Sequence, residues 1–191
     1  MPALLRRRAS AADRMALKAA FEAWPSPESV ATVFCSRHGE VQRSVELMEM
    51  TARGEGQLPM SFSLSVHNAA SGLFGISRGD RKASTSLAAG RDTLAMGVFE
   101  ACMLLGQGEP KVLMVAFDDA LPLPLQGFAE HGDAAAALAL LLTPGSEFSL
   151  GRAEGADHGP HGPSQAAGLA AFLNSKESLL QSGGWAWRRN A

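Results

Sequence analysis

The sequence is poor in several features that mark particular classes of protein. Its 191 residues carry a formal net charge of only -2, with both signs mixed along the chain, so neither a nucleic-acid partner nor an anionic membrane is expected. The basic cluster Arg6–Arg8 is short and isolated, which favours a solvated helix face over an anchor or a nucleic-acid arm. The longest apolar run, AAAALALLLTP from Ala134, is too short to span a bilayer and predicts a core strand or a short buried helix.

Cysteine is scarce as well. The two cysteines, Cys35 and Cys102, lie in the apolar runs ATVFCS and FEACMLL, which predicts buried free thiols and a reducing compartment. The first ten residues, MPALLRRRAS, place their charges after the short apolar stretch, an order that a signal peptide does not have. These features together predict a cytoplasmic protein.

Motifs for common cofactors are also lacking. The chain contains no G-x-G-x-x-G and no P-loop pattern, so no cofactor is expected. HGPHGP places His158 and His161 in a Gly/Pro segment without a nearby cysteine or carboxylate cluster. A zinc site needs three or four ligands. A loop is therefore favoured over a metal site, and no metal is expected.

The chain does contain enough apolar residues, 46% of the total, for the core of one domain or a little more. Apolar runs and helical periodicities alternate along it, which predicts an α/β layered fold with a mostly buried sheet. Helices are predicted over 10–23, where Ser10 can act as the cap, and over 40–56, 64–79 (ended by Gly79) and 92–106. Strands are predicted over 30–35, 82–89, 111–117 and 134–143.

The C-terminal region has weaker patterns. Residues 144–165 lack periodicity and are predicted to form a loop, and 164–181 could form a final helix. WAWRRN, at 185–190, is interpreted as an amphipathic tail whose two tryptophans are available to a partner. The helix over 92–106 is apolar most of the way round, which predicts burial between two layers.

Residues 84–117 have the layout strand, tight turn, helix, loop, strand, which often presents a nucleophile at the turn. The turn residues here are Ala88, Ala89, Gly90 and Arg91, and none of them is a nucleophile. The segment is therefore either an active-site turn without its chemistry or a structural turn. Cys102 lies well inside the following helix, where a thiol is usually a core residue.

GISRG, residues 75–79, matches the serine-hydrolase pattern G-x-S-x-G with Ser77 as nucleophile. That motif requires a strand before it and a helix after it. Here a helical stretch precedes it and the polar turn DRKAS follows, so the end of a helix is favoured over a hydrolase site.

Other polar residues allow two interpretations. Asp118 and Asp119 follow a predicted strand, where α/β proteins often bind ligands, although paired acids there more often form turns or helix caps. His67 and Asn68 lie among small residues. They either satisfy the start of a helix or line a cleft near the turn at 84–91.

Several short stretches in order resemble the N-terminal half of the β-ketoacyl synthases, which have the thiolase fold. PMSFSLSVHNAASGLFGISRGDRKASTSLAAG through GEPKVLMVAF follows the family's Asn-x-x-x-Gly helix, glycine-ended turn, serine-containing strand and apolar strand. The positions that match without gaps are Asn68, Gly72, Ile76, Gly79, Ser84, Gly108 and Val112.

The resemblance implies a thiolase-like layered α/β fold with a mixed sheet flanked by helices, of which only the N-terminal half is present. The ungapped register places Arg91 where the family has its catalytic cysteine, and a register anchored on Gly90 places Leu87 there; neither residue is a thiol. The family's cysteine relies on a helix N-terminus to lower its pKa, and an arginine cannot replace it. The family's catalytic histidines belong to the other half.

VFCSRHGEVQRSVELMEM, FSLSVHNAASGLFGI and SLAAGRDTLAMGVFEA resemble the chain-length-factor subfamily of aryl-polyene and related type II fatty acid or polyketide systems. The resemblance implies a non-catalytic subunit that completes a heterodimer with a catalytic ketosynthase through residues 83–89 and shapes the pocket that sets acyl chain length. Acyl carrier protein would be an indirect partner. His67, Asn68 and Arg91 are the residues expected in the cleft or interface, and Arg91 could instead meet a carrier phosphate.

The implied domain division is 1–150 for the ketosynthase-like domain and 151–191 for a loop, short helix and tryptophan-containing tail. Two alternatives remain open. The chain could be a residual acyltransferase, decarboxylase or hydrolase that uses a residue such as Ser77 or His67, or it could be a degenerate fragment without a role.

Overall fold

The computed structural model describes residues 3–56, 59–130, 134–154 and 163–190. The helices are α1 (Ala3–Arg8), α2 (Ala11–Ala23), α3 (Val41–Ala52), α4 (Pro59–Ser63), α5 (Ala69–Arg78), α6 (Thr93–Gly106) and α7 (Pro163–Leu173). The strands are β1 (Ala31–Cys35), β2 (Ser84–Leu87), β3 (Val112–Asp118), β4 (Ala136–Leu142), β5 (Phe148–Arg152), β6 (Leu179–Ser182) and β7 (Trp185–Arg189). None of these helices is long and apolar enough to cross a membrane.

The central sheet has four strands in the order β2-β1-β3-β4. The first three are parallel, and β4 runs antiparallel to β3. Every residue of β1 and β3 is buried, as expected for continuous apolar strands at the centre of a sheet with helices on both faces. The predicted mixed sheet flanked by helices is confirmed.

The alternation of side chains along β3 divides the core into two clusters. Leu113, Val115 and Phe117 pack with α2 and α5 on one face of the sheet. Val112 and Met114 pack with α6 and α7 on the other face. This is the period of two that any strand imposes, and it explains why β3 is apolar at every position.

Helix α6 approaches β1 closely because it has a glycine at the contact. A Cβ atom built on Gly97 would lie 2.5 Å from Cys35 Sγ and 3.2 Å from Cys35 Cβ. Only one side of α6 is buried, however. Phe99 and Met103 are about half exposed, so the predicted burial of this helix between two layers is wrong for the described chain, because the described residues cover only its sheet-facing side.

Helix α2 begins with the capping box that Ser10 was expected to provide. Ser10 Oγ accepts a hydrogen bond from the backbone N–H of Asp13 at 2.9 Å, and Asp13 Oδ2 accepts one from the backbone N–H of Ser10 at 3.1 Å. Ser10 Oγ also donates to Glu40 Oε1 at 2.7 Å, just before α3. Two buried carboxyl groups therefore meet at Ser10, and the guanidinium of Arg43, 3.1 Å from Glu40 Oε2, is the cation beside them.

The predicted helix over 64–79 is shorter in the structure. It begins at Ala69 and is preceded by the separate short helix α4. Its end at Gly79 is confirmed: that residue has φ 64°, in the left-handed region, where glycine is strongly favoured.

The C-terminal region differs most from the prediction. The segment 144–165 contains β5 instead of being a loop throughout, and the proposed final helix ends at Leu173 and is followed by β6. WAWRR, residues 185–189, forms β7, the middle strand of an antiparallel sheet of order β5-β7-β6. Both of its tryptophans are buried, so they are not available to a partner as predicted.

This second sheet is not a free tail. Trp185 and Trp187 share a core cluster with Leu169 and Phe172 of α7 and with side chains of β1 and β3. The strands were missed because the pairing that creates them is not local: Phe148 pairs with Arg189 at the far end of the chain. The division of the chain at residue 150 stays a prediction.

We predict that Gly97→Ala lowers the free energy of unfolding by about 1–3 kcal/mol, the usual cost of overpacking a core. This loss exceeds the gain of about 1 kcal/mol in helix propensity. Urea unfolding measures it. Gly106→Ala is the matched control on the same helix, because a Cβ there meets nothing within 4 Å. Adding Cys35→Ala to Gly97→Ala should recover part of the loss. Equal effects of the two glycine variants would contradict the contact.

We predict that Asp13→Asn stabilises the protein increasingly as pH rises. Asp13 is fully buried, and burial raises its pKa above the ordinary value. A raised folded-state pKa contributes stability below the unfolded-state pKa, and that contribution is lost as pH rises through the folded-state value. The asparagine side chain does not titrate in this range, and its amide oxygen can still accept the hydrogen bond from the backbone N–H of Ser10. Thermal unfolding from about pH 5 to about pH 8 should show a growing difference. A constant difference would refute the raised pKa.

Candidate functional site

Three loops meet where the parallel strands of the central sheet end. β1 leads into Ser36–Gly39, β2 into the turn that contains Arg91, and β3 into the residues after Asp118. The carboxyl ends of parallel strands lie at one edge of a sheet, where α/β proteins commonly bind their ligands. This edge is the candidate functional site.

Asp118 holds the first of these loops in place. Its carboxylate accepts hydrogen bonds from Ser36 Oγ at 2.7 Å, from the backbone N–H of Arg37 at 3.1 Å and from the backbone N–H of His38 at 2.9 Å. The side chain is buried, and its burial raises its pKa although these hydrogen bonds oppose the shift. Asp118 therefore fixes the loop after β1, which is the structural role weighed for it against ligand binding.

His67 joins the same loop from the side of α5. Its Nε2 lies 2.9 Å from the carbonyl oxygen of Ser36. Gly39 has φ 56°, and a Cβ there would lie 2.8 Å from His67 Cδ2, so the ring packs directly against the backbone of the loop. His67 thus connects the start of α5 to the end of β1.

Asn68 lies elsewhere. It is exposed at the start of α5, and its side chain makes no capping hydrogen bond. It lines an open groove of about 520 Å³ between α5 and β2, together with Gly72, Ile76, Ser84 and Ser86. His67 and Asn68 are therefore neighbours in sequence that face different surroundings.

Arg91 follows Gly90, which has φ 57°, in a short 3₁₀ turn over Gly90–Asp92. Its Nη2 and Nε lie 2.9 Å and 3.1 Å from oxygens of Glu130. Arg37 Nη2 lies 3.1 Å from the same carboxylate. Hydrogen bonds from Arg91 and Arg37 lower the pKa of Glu130 to about 2, so the carboxylate stays ionised between the two arginines.

The first residue before α6, Asp92, is bound to the second sheet. Its carboxylate accepts a hydrogen bond from Trp185 Nε1 at 2.8 Å and lies 3.5 Å from Arg152 Nη2. The Arg152 guanidinium stacks over the Trp185 ring at 4.0 Å. The charge of Arg91 is therefore met by Glu130, and the partners of Asp92 are on β5 and β7.

Neither cysteine has the surroundings of a nucleophile. Cys35 is fully buried, with Sγ 3.8 Å from Met114 Sδ, and burial strongly raises the pKa of its thiol. Cys102 is exposed, contrary to the prediction of a buried thiol, because it lies on the side of α6 that faces away from the sheet. Desolvation raises its pKa also.

The remaining candidates do not join the site. Ser77 Oγ donates to the carbonyl oxygen of Phe74 at 2.8 Å inside α5, so the GISRG stretch is the end of a helix, as favoured. Within the described ranges, no three His, Cys, Asp or Glu side chains are grouped as metal ligands would be. His158 and His161 lie outside the described residues.

The sequence interpretation missed three side chains that organise this edge. Glu130 gave no signal, because it lies in an aperiodic stretch far from Arg91 in sequence. Ser36 and Trp185 gave none either, since their partners, Asp118 and Asp92, are more than 80 residues away in the chain. Of the residues at this edge, Asp118 alone had a local sequence signal for its position, because it follows a continuous apolar strand.

We predict that Asp118→Ala lowers the free energy of unfolding by about 3 kcal/mol or more. It leaves three donors without their acceptor, and each buried unpaired donor costs about 1–3 kcal/mol. Asp119→Ala is the matched control, because within the described residues Asp119 accepts only from its neighbour Ala120, at 2.9 Å. Urea unfolding compares the two. If Asp118→Ala costs no more than Asp119→Ala, Asp118 does not hold the loop.

Comparison with known proteins connects this arrangement to a family. The family model for the β-ketoacyl synthase N-terminal domain matches residues 1–188. A chain in the complex of the ketosynthase ApeO with its chain length factor ApeC from Xenorhabdus doucetiae has a TM-score of 0.88 and 29% identity, and the match covers 99% of this chain and 82% of that chain. None of the curated proteins matches.

Two further structures show the same fold at lower identity. The ishigamide ketosynthase/chain length factor has a TM-score of 0.65 and 16% identity, with 90% of this chain and 55% of that chain covered. A β-ketoacyl synthase from Burkholderia phymatum has a TM-score of 0.60 and 11% identity, with 83% of this chain and 52% of that chain covered. This chain therefore spans about half the length of those two.

The predicted thiolase-like fold and the likeness to chain-length-factor-type ketosynthase domains are confirmed by these matches. The chain belongs to the family of β-ketoacyl synthase N-terminal domains.

Proposed function

We propose that this protein is a non-catalytic, ketosynthase-like subunit of chain-length-factor type that pairs with a catalytic β-ketoacyl synthase. The observation that carries the proposal is that the turn before α6 has no thiol at either candidate nucleophile position. In the ungapped register the nucleophile position is Arg91, which is bound by Glu130. In the alternative register it is Leu87. Neither residue can form a thioester.

The coverage of the matched structures supports a partner role. This chain covers 82% of its match in the ketosynthase–chain length factor complex but 52% of the Burkholderia ketosynthase. The chain thus corresponds to most of one subunit in a structure that contains both components. We infer that it also pairs with a ketosynthase, in fatty acid or polyketide biosynthesis of the aryl-polyene kind. We place this pairing in the cytoplasm, where two free thiols stay reduced.

The open edge of β2 is the surface proposed for this partner. β2 is an outer strand of the central sheet, and an unpaired strand edge is a template for pairing with another chain. An exposed apolar side chain lies beside it, because Ile76 of α5, 70% exposed, lines the groove next to β2. From α6, Glu100 accepts a hydrogen bond from Thr85 of β2 at 3.2 Å, and the preceding residue in that helix, Phe99, is 54% exposed. Asn68 lines the same groove and is proposed as an interface residue.

Helix α4 carries further exposed apolar side chains. None of its residues is buried, and Met60 and Phe62 are 46% and 63% exposed. Exposed apolar residues in such a short helix suggest that another molecule covers them. We propose that they contact the partner subunit and help to shape the pocket that sets acyl chain length.

Arg91 and His67 receive different roles under this proposal. Arg91 lies at the rim of the site with its charge met by Glu130, and we propose that it orders the interface; a carrier-protein phosphate would have to compete with that carboxylate. His67 fixes the loop after β1. Acyl carrier protein remains an indirect partner. Ser77 and His67 each contact a backbone carbonyl oxygen, and these contacts do not favour a residual enzyme over a non-catalytic subunit.

We predict a stable 1:1 complex when the chain is co-expressed with a ketosynthase from the same genome neighbourhood. Size-exclusion chromatography with mass detection measures it. Ile76→Glu and Phe99→Glu should each abolish the complex, because a carboxylate would be buried without a partner. Leu179→Glu is the control: that side chain is 43% exposed but belongs to β6 in the second sheet.

Two outcomes would overturn the proposal. One is a well-behaved monomer that ignores the ketosynthase. The other is acyl transfer, decarboxylation or hydrolysis by the isolated chain that Ser77→Ala or His67→Ala abolishes, which would support the residual enzyme. A complex that tolerates both glutamate variants would keep the pairing but move the interface away from β2.

A further inference from the structure

The junction of α1, α2 and α3 contains two buried carboxyl groups beside a single cation. Asp13 is fully buried, and Glu40, the residue before α3, is 5% exposed. Within the described part of the chain, Arg43 is the only cation that contacts either carboxyl, with its Nε 3.1 Å from Glu40 Oε2. If both carboxyl groups were ionised, one buried negative charge would lack a counter-charge, which is energetically costly.

The hydrogen bonds at this junction also require a proton. Ser10 donates its hydroxyl to Glu40 Oε1 at 2.7 Å and its backbone N–H to Asp13 Oδ2 at 3.1 Å. Asp13 Oδ1 is buried and accepts no hydrogen bond from the described donors, and the Asp13 carboxyl lies within hydrogen-bond reach of the Glu40 carboxyl. Because ionised carboxylates can only accept hydrogen bonds, a bond between these two carboxyl groups needs a proton on one of them.

The electrostatic surroundings agree with this count. Burial raises the pKa of Asp13 and of Glu40 above their ordinary values, and the charge of Asp13 raises the pKa of Glu40 further. Two carboxyl groups at one site resist ionising together. With one proton, the pair carries a single negative charge, which the guanidinium of Arg43 neutralises.

Glu40 connects this junction to the candidate functional site, because it directly follows the loop Ser36–Gly39. Asp118 holds the first three residues of that loop. At the other end, the backbone carbonyl of Glu40 accepts the first bond of α3, from the N–H of Ser44 at 2.9 Å, while its side chain is bound to Ser10 before α2. The loop is therefore held at one end by Asp118 and at the other by Glu40.

The end of α1 is joined to the same pair through Arg43. One nitrogen of its guanidinium, Nη2, donates to the carbonyl oxygen of Arg8, the last residue of α1, at 3.1 Å, and another, Nε, is bound to Glu40. The side chain of Arg43 is 16% exposed, so its position depends on these acceptors. The carboxyl pair thus connects α1, the start of α2 and the first turn of α3.

We propose that Asp13 and Glu40 share one proton, and that loss of this proton as pH rises releases the loop Ser36–Gly39 and the first turn of α3 from the start of α2. With the proton bound, the two carboxyl groups are joined and Arg43 balances the remaining charge. Without it, two carboxylates face one guanidinium, and a position of Glu40 in water is favoured. The device does not depend on the partner proposed above.

The direction of the pH dependence follows from the raised pKa values. A carboxyl group whose folded-state pKa lies above its unfolded-state value contributes stability at low pH, and this contribution is lost as pH rises through the folded-state value. The release therefore begins above the ordinary carboxyl range of about 3.9–4.3. The loop is held at low pH and is released at higher pH.

The other ionisable groups near the junction give a different signature. Asp118 and His38 belong to the other end of the loop, and His67 packs against it from the start of α5. The side chains of Arg8 and Arg14 are exposed. All five remain when Asp13 or Glu40 is replaced, so a pH effect that they cause would persist in those variants. Ionised Asp118 also keeps its three hydrogen bonds.

Infrared spectroscopy of the full chain detects the shared proton. The C=O stretching band of a protonated carboxyl should persist at a pH where exposed carboxyl groups are ionised, and it should fade as pH rises further. Asp13→Asn and Glu40→Gln should each remove this band, because each leaves one carboxylate beside Arg43. Glu22→Gln, an exposed carboxyl on the same helix, is the matched control and should keep it. A contribution from Asp118 is common to all four proteins and cancels in the difference spectra.

Hydrogen exchange followed by mass spectrometry measures the release of the loop. After correction for the intrinsic exchange rate at each pH, peptides covering residues 36–47 should lose protection by up to about tenfold per pH unit, the effect of one linked proton, while β3 keeps its protection. Asp13→Asn should abolish this pH dependence, because its amide can donate to Glu40 at every pH. Glu22→Gln should behave like the unchanged chain.

Several results would overturn the proposal. A spectrum without the protonated band, or a band that survives both Asp13→Asn and Glu40→Gln, excludes the shared proton. The same pH dependence of exchange in Asp13→Asn and in the unchanged chain excludes its link to the loop, and an equal loss of protection in β3 shows that the whole domain opens instead. If neither variant folds, constant protection of residues 36–47 across pH in the unchanged chain still refutes the device.

Discussion

The carboxylate of Asp118 is the contact on which the candidate site depends. It fixes Ser36 and the two backbone N–H groups that follow. The carbonyl oxygen of Ser36 then meets His67, which precedes α5, and Arg37 reaches Glu130. Because Glu130 also holds Arg91, a single buried acid connects the ends of β1 and β3 to the turn before α6.

Because Asp118 is buried, its carboxylate has lost its hydration and requires hydrogen bonds from the protein. A carboxylate inside a protein is tolerated when hydrogen bonds replace its lost hydration, and Asp118 has three from one loop. The loop in turn has no apolar side chains of its own to hold it in place. Its conformation therefore depends on the acid, and the acid depends on the loop, so neither is expected to persist without the other.

The sequence predicted those parts of the fold whose cause is local. β1 and β3 are continuous apolar runs, α2 begins at a capping serine, and α5 ends at a glycine in the left-handed region. β5, β6 and β7 were not predicted, because strand formation there results from pairing between distant segments. Glu130 was missed for the same reason: its partners, Arg37 and Arg91, are far from it in sequence.

The charges around the turn also explain why this site is suited to a cation rather than to a thiolate. An arginine before a helix N-terminus is opposed by the helix dipole, and Glu130 offsets that cost. Asp92 adds a second negative charge at the same helix end. A thiol in place of Arg91 would lie near Glu130, whose charge disfavours the ionised form of the thiol. The surroundings of residue 91 thus favour an arginine there over an ionised thiol.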